Sequence, residues 1–277
     1  MFRAFRNTWR LLRMALSFAR HDALFPLETL GIAPALIAWA RLFARRRDPR
    51  RPGERLAAAL QDMGPSFIKL GQALSTRADL LSETAAADLA RLQDHLPAFS
   101  GAEARRIIET ELGQPIGALY SSFDDVPVAA ASIAQVHFAV TTDGREVAVK
   151  VLRPGIEFAF ERDLDLFYWM AELVERTQPR FRRLKPVDSV RAFADVVRVE
   201  MDLRMEAAAA EELGENFADD PGYRAPTIDW DRTAQRVLTL ERVDGIPIGD
   251  RDAIVAAGHD PNAVSYTHLT LPTNREV

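Results

Sequence analysis

The order of the predicted elements indicates an α+β fold. Helical apolar patterns fill most of residues 1–119, an apolar hairpin occupies residues 126–151, and two long helical patterns and another strand follow. A parallel α/β sheet would instead show strands alternating with single helices along the chain. We therefore predict a small antiparallel sheet with helices before and beside it.

Composition places the chain among ordinary globular proteins. It has 277 residues, of which 48% are hydrophobic and 27% charged. The absence of cysteine excludes a disulfide framework, a thiolate metal site and a cysteine nucleophile. The longest apolar stretch, residues 30–43, is interrupted by Pro34 and Arg41 and falls short of the ~18 residues that a membrane-spanning helix needs.

The first element is predicted to be a basic amphipathic helix. Its apolar residues recur at helical spacing, with arginines in a parallel stripe: Phe2, Phe5, Trp9, Leu12 and Leu16 beside Arg3, Arg6, Arg10, Arg13 and Arg20. Such a helix either lies on an anionic membrane surface or packs on its own domain. The arginine-rich stretch 45–53 is typical of a linker. We assign residues 1–53 to an N-terminal arm and linker, ahead of an acidic body.

Residues 54–125 are predicted to form a helical extension. Ser82 starts one helix that runs to about His95, and the pair Ser100 and Glu103 is a capping box for another that Gly113 ends. Lys69 and Gln72 share a helical face, and Gly71 between them costs about 1 kcal/mol relative to alanine. This glycine predicts close approach by another backbone or by a ligand.

The hairpin at residues 126–151 carries an unusual first turn. Small residues stand where a phosphate-cradling loop usually has glycine: Ala129, Ala130, Ala131 and Ser132. The second strand ends in Lys150, whose ammonium group must emerge into a cleft or meet an anion, unless it is an ordinary surface lysine. Long helices are predicted at residues 157–176 and 187–213, and a strand at residues 236–243.

Three carboxylates fall in the second of these predicted helices. Asp202 and Glu206 are four residues apart and share a face, whereas Glu200 points about 200° away from Asp202. In a protein-kinase small lobe a carboxylate holds the strand lysine that contacts the nucleotide phosphates. We predict that Glu206 is the partner of Lys150, against the alternative that these acids only solvate a helix face.

These motifs together resemble the UbiB-type atypical protein-kinase-like family, which supports ubiquinone biosynthesis. The resemblance covers about residues 55–262 and depends on motifs in a fixed order: Lys69-x-Gly71-Gln72, the turn at 129–132 with Gln135 and His137 behind it, Lys150, and Glu200-x-Asp202-x-x-x-Glu206. It implies a protein-kinase-like small lobe at residues 126–245, with the N-terminal helical extension packed beside it. It also implies that ATP is bound.

The resemblance assigns roles to individual residues. Lys150 would contact the nucleotide phosphates and pair with Glu206, while Glu200 and Asp202 would form an acidic pair near Lys69 and Gln72. The turn of Ala129, Ala130, Ala131 and Ser132 would replace the kinase glycine-rich loop. Alanine cannot adopt positive φ as cheaply as glycine, so this turn is stiffer and favours ATPase-like or small-molecule chemistry over protein phosphorylation. The strand that contains Glu241 and Val243 would meet adenine.

The large lobe of a kinase is expected to be absent. Residues 246–263 would be only its start, without a catalytic loop or metal motif, so that the Mg²⁺ ligands would lie in a missing part. Residues 264–277 match nothing in the family and resemble a translated adapter sequence. We therefore expect a C-terminally truncated chain with weak or no ATP hydrolysis.

The implied partners are a nucleotide, a polyprenyl lipid precursor or ubiquinone biosynthetic proteins, and a membrane surface. The implied location is the cytoplasmic face of the bacterial inner membrane, with peripheral attachment. A non-catalytic lipid-binding or scaffold protein is the alternative, and a conventional protein kinase is a third. Direct hydroxylation of a polyprenylphenol is disfavoured because flavin and iron motifs are missing. The acidic body argues against nucleic-acid binding.

Overall fold

The computed structural model describes residues 2–30, 34–43, 48–76, 82–90, 92, 96–246 and 250–260. A group of helices precedes a small antiparallel sheet, and further helices follow it. The predicted linker residues 45–47, the predicted helix end at His95 and the tail at 264–277 lie outside the described residues.

The described residues of the N-terminal part contain six helices. In chain order they are α1 (Phe2–Arg20), α2 (Phe25–Leu30), α3 (Pro34–Arg41), α4 (Pro52–Met63), α5 (Pro65–Ser75) and α6 (Glu83–Ala90). Their apolar side chains share one core with the long helix α9 (Ile156–Thr177). Phe67 of α5 and Phe167 of α9 meet edge to face with ring centroids 5.0 Å apart. None of the described helices is long and apolar enough to cross a membrane.

Helix α1 is present, but it does not bury the apolar stripe that the sequence predicts. The buried side chains lie roughly 130° further around the helix and are Leu11, Met14, Ala15, Phe18 and Ala19. Phe5 and Trp9 are 79% and 62% exposed. Hydrogen bonds from Asn7 to Asp165 at 3.1 Å and from Arg10 to Asp163 at 2.5 Å turn this other face toward α9.

Gly71 lies at a close contact between helices α4, α5 and α6 and the residues after α6. A methyl group at Gly71 would be 2.5 Å from Leu92 Cδ1 and 2.8 Å from Leu60 Cδ1. The predicted close approach to Gly71 is therefore present. Leucine side chains make this contact, so the prediction that a backbone or a ligand lies there is wrong. Ser82 caps α6 by accepting a hydrogen bond from the Ala85 N–H at 3.3 Å.

Within the described part of the chain the sheet has five strands, all antiparallel to their neighbours. They are β1 (Tyr120–Phe123), β2 (Ala129–Ala130), β3 (Ala134–Thr141), β4 (Glu146–Leu152) and β5 (Val237–Glu241). The order is β1-β3-β4-β5, and β2 also pairs with β3. The predicted hairpin is thus β3 and β4, closed by a turn in which Gly144 has φ of 87°.

The two faces of the sheet have different environments. Val147, Val149 and Val151 are buried against helices α7 (Gly101–Leu112) and α8 (Ile116–Leu119). Ala148 and Lys150 alternate with them along β4 and lie on the other, half-buried face together with Phe138, which pairs with Ala148 from β3. Helices α7 and α8 and strand β1 precede residue 126, so the core of the sheet draws on both sides of the predicted boundary at 125.

The caps of α7 agree with the sequence prediction. The Ser100 hydroxyl accepts a hydrogen bond from the Glu103 N–H at 3.2 Å. Gly113 ends the helix in the left-handed conformation with φ of 67°. Helix α9 also matches its prediction to within one residue at each end.

The predicted helix at residues 187–213 is wrong as one element, because the structure contains two. Helix α10 (Pro186–Glu200) ends before Met201, and α11 (Leu203–Asn216) begins after Asp202. Asp202 is extended, with φ of −118° and ψ of 95°, and caps α11. The Leu203 N–H leaves the helical pattern and donates to the Gln235 carbonyl at 2.9 Å. Two short helical turns at Pro179–Leu184 and Trp230–Arg232 and helix α12 (Arg251–Ala256) complete the described elements.

Candidate functional site

Lys150 and Glu206 form the centre of the candidate site. The Lys150 Nζ lies 2.8 Å from Glu206 Oε1 and 2.7 Å from Oε2, as the sequence analysis predicts. Lys150 reaches out from the half-buried face of β4, and Glu206 is in the first turn of α11. The side chains are 25% and 49% exposed. An ion pair this exposed contributes only about 0–1 kcal/mol to stability. Its main effect is therefore to fix the position of the Lys150 ammonium group.

The alanine-rich turn stands beside Lys150. Ala129 pairs with Val136, and Val136 pairs with Lys150, so the three residues lie in a row across neighbouring strands. Beyond β2 the Ala131 N–H donates to the Ala134 carbonyl at 2.8 Å and closes the turn. Ala129, Ala130, Ala131 and Ser132 all have negative φ. The turn therefore has a backbone that alanine adopts without strain, unlike a glycine-dependent phosphate loop.

Ser132 lies at the inner end of this turn. The residue is 1% exposed, and its hydroxyl oxygen has no hydrogen-bond partner in the described part of the chain. An unpaired buried hydroxyl is unfavourable, so the turn is held in place by other contacts.

The helical extension reaches the same region through Lys69. The Lys69 Nζ lies 2.9 Å from a carboxylate oxygen of Glu200, the last residue of α10. Gln72 is one helical turn further along α5 and is half-buried. The predicted contact between the extension and this carboxylate is therefore present.

Asp202 does not join Glu200 at Lys69, contrary to the predicted acidic pair. It accepts hydrogen bonds from the Arg204 N–H at 3.2 Å and from the Arg204 guanidinium at 2.6 Å. The Arg204 hydrogen bonds lower the pKa of the Asp202 carboxyl. The helix break explains the difference, because Asp202 is a cap with its own partner and not a residue on a continuous helical face. The sequence signal was the short polar residue at a helix start.

The strand predicted to meet adenine places Glu241 at its end. The Glu241 N–H donates to the Thr227 carbonyl at 2.8 Å. Its carboxylate accepts hydrogen bonds from the Arg224 guanidinium and from the Thr227 N–H. These contacts lower the pKa of the Glu241 carboxyl, and the hydrogen bond from the Thr227 backbone has the largest effect. Val243 follows the strand and is 60% exposed. The Glu241 side chain thus holds the loop at residues 224–227 through hydrogen bonds.

The half-buried face of the sheet carries apolar side chains beside Lys150. Phe138, Ala148 and Leu240 present apolar atoms on the face that carries Lys150. The Arg242 guanidinium lies over the Phe138 ring at 4.1 Å from its centroid. Apolar surface beside a held cation is the combination that a base and its phosphates require.

The described residues do not fit a magnesium site. They contain no group of three or more His, Asp or Glu side chains with suitable geometry. The nearby carboxylates of Glu200, Asp202 and Glu206 are each paired with a cation.

The chain is similar to known proteins of one family. The family model described as ABC1 atypical kinase-like domain matches residues 91–275, and its match therefore extends into the segment 264–277 that the sequence alone separates from the family. A relative from Marinobacter nauticus named "Probable protein kinase UbiB" is 44% identical over 255 residues, covering 90% of this chain and 46% of the relative. One of the same name from Cellvibrio japonicus is 40% identical over 253 residues, covering 91% and 46%. The chain therefore spans about half the length of these curated relatives.

A solved structure also matches. It is the complex of Rv3197 with erythromycin from Mycobacterium tuberculosis, with 30% sequence identity, a TM-score of 0.48, and coverage of 69% of this chain and 48% of that one. The α-rich architecture with a small antiparallel sheet corresponds to a kinase-like small lobe with a helical extension. The chain belongs to the ABC1 atypical kinase-like family, as its resemblance to UbiB-type proteins predicted.

Proposed function

We propose that this chain carries the ATP-binding half of an atypical kinase-like ATPase that supports ubiquinone biosynthesis. The contact between Lys150 and Glu206, beside the alanine-rich turn on the half-buried apolar face, is the observation that carries the proposal. Two carboxylate oxygens of Glu206 fix the position of the ammonium group. The Lys150 ammonium then binds nucleotide phosphates, and the apolar face of the sheet receives the base.

The remaining parts of the reaction are assigned to the longer protein. The curated relatives are about twice as long as the matched chain, and a kinase-like fold places its catalytic loop and Mg²⁺ ligands in a large lobe. Bound Mg²⁺ would neutralise phosphate charge there. We infer that the chain of 277 residues binds ATP weakly and does not hydrolyse it.

The substrate is inferred to be a small molecule or a lipid precursor carrying a polyprenyl group. The extension contacts α10 through Lys69 and Glu200, next to the face where a protein substrate would otherwise dock. The turn at 129–132 also has the stiff backbone that alanine favours. Both features favour ATPase-like chemistry over phosphorylation of a protein.

Nucleotide binding by lysine variants tests the proposal. Lys150→Met removes the charge but retains an unbranched side chain, and it should abolish binding of a fluorescent ATP analogue measured by anisotropy. Lys185→Asn is the matched control, because Lys185 is an exposed lysine with φ of 46°, a left-handed conformation that asparagine tolerates. Equal affinities of Lys150→Met and the unsubstituted chain would show that Lys150 does not bind the nucleotide.

The outer face of α1 favours a second candidate, a membrane-associated lipid-binding or scaffold role. Phe5 and Trp9 are exposed apolar side chains, and Arg13 and Arg20 on neighbouring positions are exposed as well. An aromatic and cationic helix face suits the interface of an anionic bilayer. We propose peripheral attachment there, at the cytoplasmic face of the bacterial inner membrane.

Vesicle flotation separates this second candidate from the first. The double variant Phe5→Ser and Trp9→Ser should lose binding to vesicles that contain phosphatidylglycerol while its nucleotide affinity stays unchanged. Phe158→Ser is the control, because Phe158 is 71% exposed on α9. Equal flotation of the double variant and the unsubstituted chain would rule out docking through α1.

A further inference from the structure

Arg153 is a half-buried arginine whose guanidinium group, among the described residues, donates only to backbone carbonyls. It follows β4, three residues after Lys150. Its Nε and Nη2 donate to the Ala131 carbonyl at 3.0 and 2.7 Å, its Nη1 to Pro97 at 2.9 Å, and its Nη2 to Leu96 at 3.3 Å. In the described part of the chain it forms no ion pair with a carboxylate.

Burying a guanidinium group without a carboxylate partner costs free energy unless other acceptors are placed to hydrogen-bond it. A guanidinium group removed from water usually has a carboxylate partner, and burial here lowers the pKa of Arg153. Three carbonyl dipoles and the Phe99 ring, 5.9 Å from the guanidinium carbon, replace that partner. Lysine, with a single ammonium group, cannot reproduce the planar fork that reaches all three carbonyls.

The acceptors come from two different segments. Ala131 belongs to the alanine-rich turn, whereas Leu96 and Pro97 belong to the chain that leads from the N-terminal helices to α7. One side chain therefore joins the turn of the candidate site to the helical extension.

Gln135 holds the same segment a short distance away. Its amide accepts from the Phe99 N–H at 3.0 Å and donates to the Phe99 carbonyl at 3.2 Å. Residues 96–99 are thus fixed by Arg153 and by the strand that follows the turn.

We propose that Arg153 is a positioning residue for the nucleotide site. By binding the Ala131 carbonyl, it sets the distance between the alanine-rich turn and Lys150. Its bonds to Leu96 and Pro97 make that distance depend on the position of the extension. The role rests on the proposed function, since it concerns the binding of ATP next to Lys150.

Arg153→Lys is the informative variant, with two readouts on the whole chain. Amide hydrogen exchange should become faster in residues 129–134 and also in residues 96–99, since both lose their shared donor. Affinity for the fluorescent ATP analogue should fall by about tenfold, which corresponds to loss of one charged hydrogen-bonding contribution. Arg153→Ala should show the same two changes, at a larger cost in thermal stability.

Arg105→Lys is the matched control. Arg105 also lies over an aromatic ring, that of Phe123 at 5.0 Å, and donates to the Phe123 carbonyl at 2.9 Å, but it does not contact the turn. It should leave exchange at 129–134 and nucleotide affinity unchanged.

The possible outcomes distinguish the positioning role of Arg153 from the proposed ATP-binding function. Unchanged exchange at 129–134 in Arg153→Lys would overturn the positioning role, as would unchanged affinity for the analogue. If the unsubstituted chain binds no nucleotide, the proposed function fails and the role in ATP binding fails with it. Faster exchange in both segments would then identify Arg153 as a structural link alone.

Discussion

At the scale of single residues, His137 shows how a buried polar group is used at the turn. It is fully buried, and its Nδ1 lies 2.7 Å from the Asp124 carbonyl, which can only accept. Nδ1 therefore carries the proton, and Nε2 accepts from the Gln135 amide at 2.8 Å. Gln135 in turn holds Phe99. The residues behind the alanine-rich turn thus anchor the segment at 96–99 through a neutral imidazole.

The neutral state of His137 predicts a loss of stability in acid. Burial lowers the pKa of His137 below its ordinary value, so the unfolded chain takes up the proton more readily than the folded one. The stabilisation is complete above the unfolded pKa of about 6.5 and is lost as the pH falls toward the folded pKa. Urea unfolding from pH 8 to pH 5 should show this decline in the unsubstituted chain.

The His137→Asn variant should show a smaller decline over the same pH range, although its stability at pH 8 is lower. His259→Asn is the control, because His259 is exposed and lies outside the sheet. A decline of the same size in His137→Asn would mean that carboxylates alone cause the pH dependence.

At the scale of elements, the break between α10 and α11 arranges the acidic side chains of the site. Glu200 ends one helix and contacts Lys69, while Glu206 lies in the first turn of the next and contacts Lys150. The apolar pattern continues across the break, because Val197, Met201, Leu203 and Ala207 all enter one core. Periodicity therefore predicted a single helix, although the backbone changes direction between Met201 and Leu203.

The cap of α11 gives a prediction at this scale. Asp202→Ala should lower the free energy of unfolding by about 1 kcal/mol, as is usual for a lost N-cap. It should also weaken nucleotide binding, because the first turn of α11 carries Glu206. Asp202→Asn keeps an acceptor for the Arg204 N–H and should remain close to the unsubstituted chain in both measurements.

Asp250→Ala provides the comparison. Asp250 caps α12 through the Ala253 N–H at 3.0 Å and belongs to a helix outside the site. Its loss should lower stability only and leave nucleotide affinity intact. If Asp202→Ala behaved in the same way, the cap would have no part in placing Glu206.

At the scale of the whole molecule, the extension and the small lobe share a core. Side chains of α1, α4 and α5 pack with those of α9 and α10 in one apolar cluster. The ion pairs of Arg10 with Asp163 and of Arg6 with Asp165 add polar contacts along the same surface. The arm helix α1 and the helical extension are therefore structural parts of the lobe, and the motif residue Lys69 of the extension is held in a defined position.

This shared core predicts cooperative unfolding. Phe67→Ala should lower the free energy of unfolding by about 3–5 kcal/mol, since Phe67 is 5% exposed and its ring meets that of Phe167. Tryptophan fluorescence and circular dichroism should follow one transition in urea. Phe158→Ala should change stability by less than about 0.5 kcal/mol. Two separate transitions would show that the extension folds on its own.

The sequence alone determined the α+β class, the hairpin, the extent of α9, the caps of α7 and the family. Each of these depends on residues near one another in the chain: apolar periodicity, a capping serine, a glycine after a helix, or motifs in a fixed order. The partnership of Lys150 and Glu206 was also predictable, because the kinase-like motif order supplied the long-range pairing.

Only the tertiary structure decided which surfaces meet. It showed that α1 buries the face of Leu11 and Phe18 instead of that of Phe5 and Trp9, and that leucine side chains surround Gly71. It also showed that Asp202 is a cap and that Arg153 joins the turn to the extension. Local patterns specify an element and its apolar stripes, but the stripe that is buried and the carbonyl that an arginine reaches depend on contacts between distant segments.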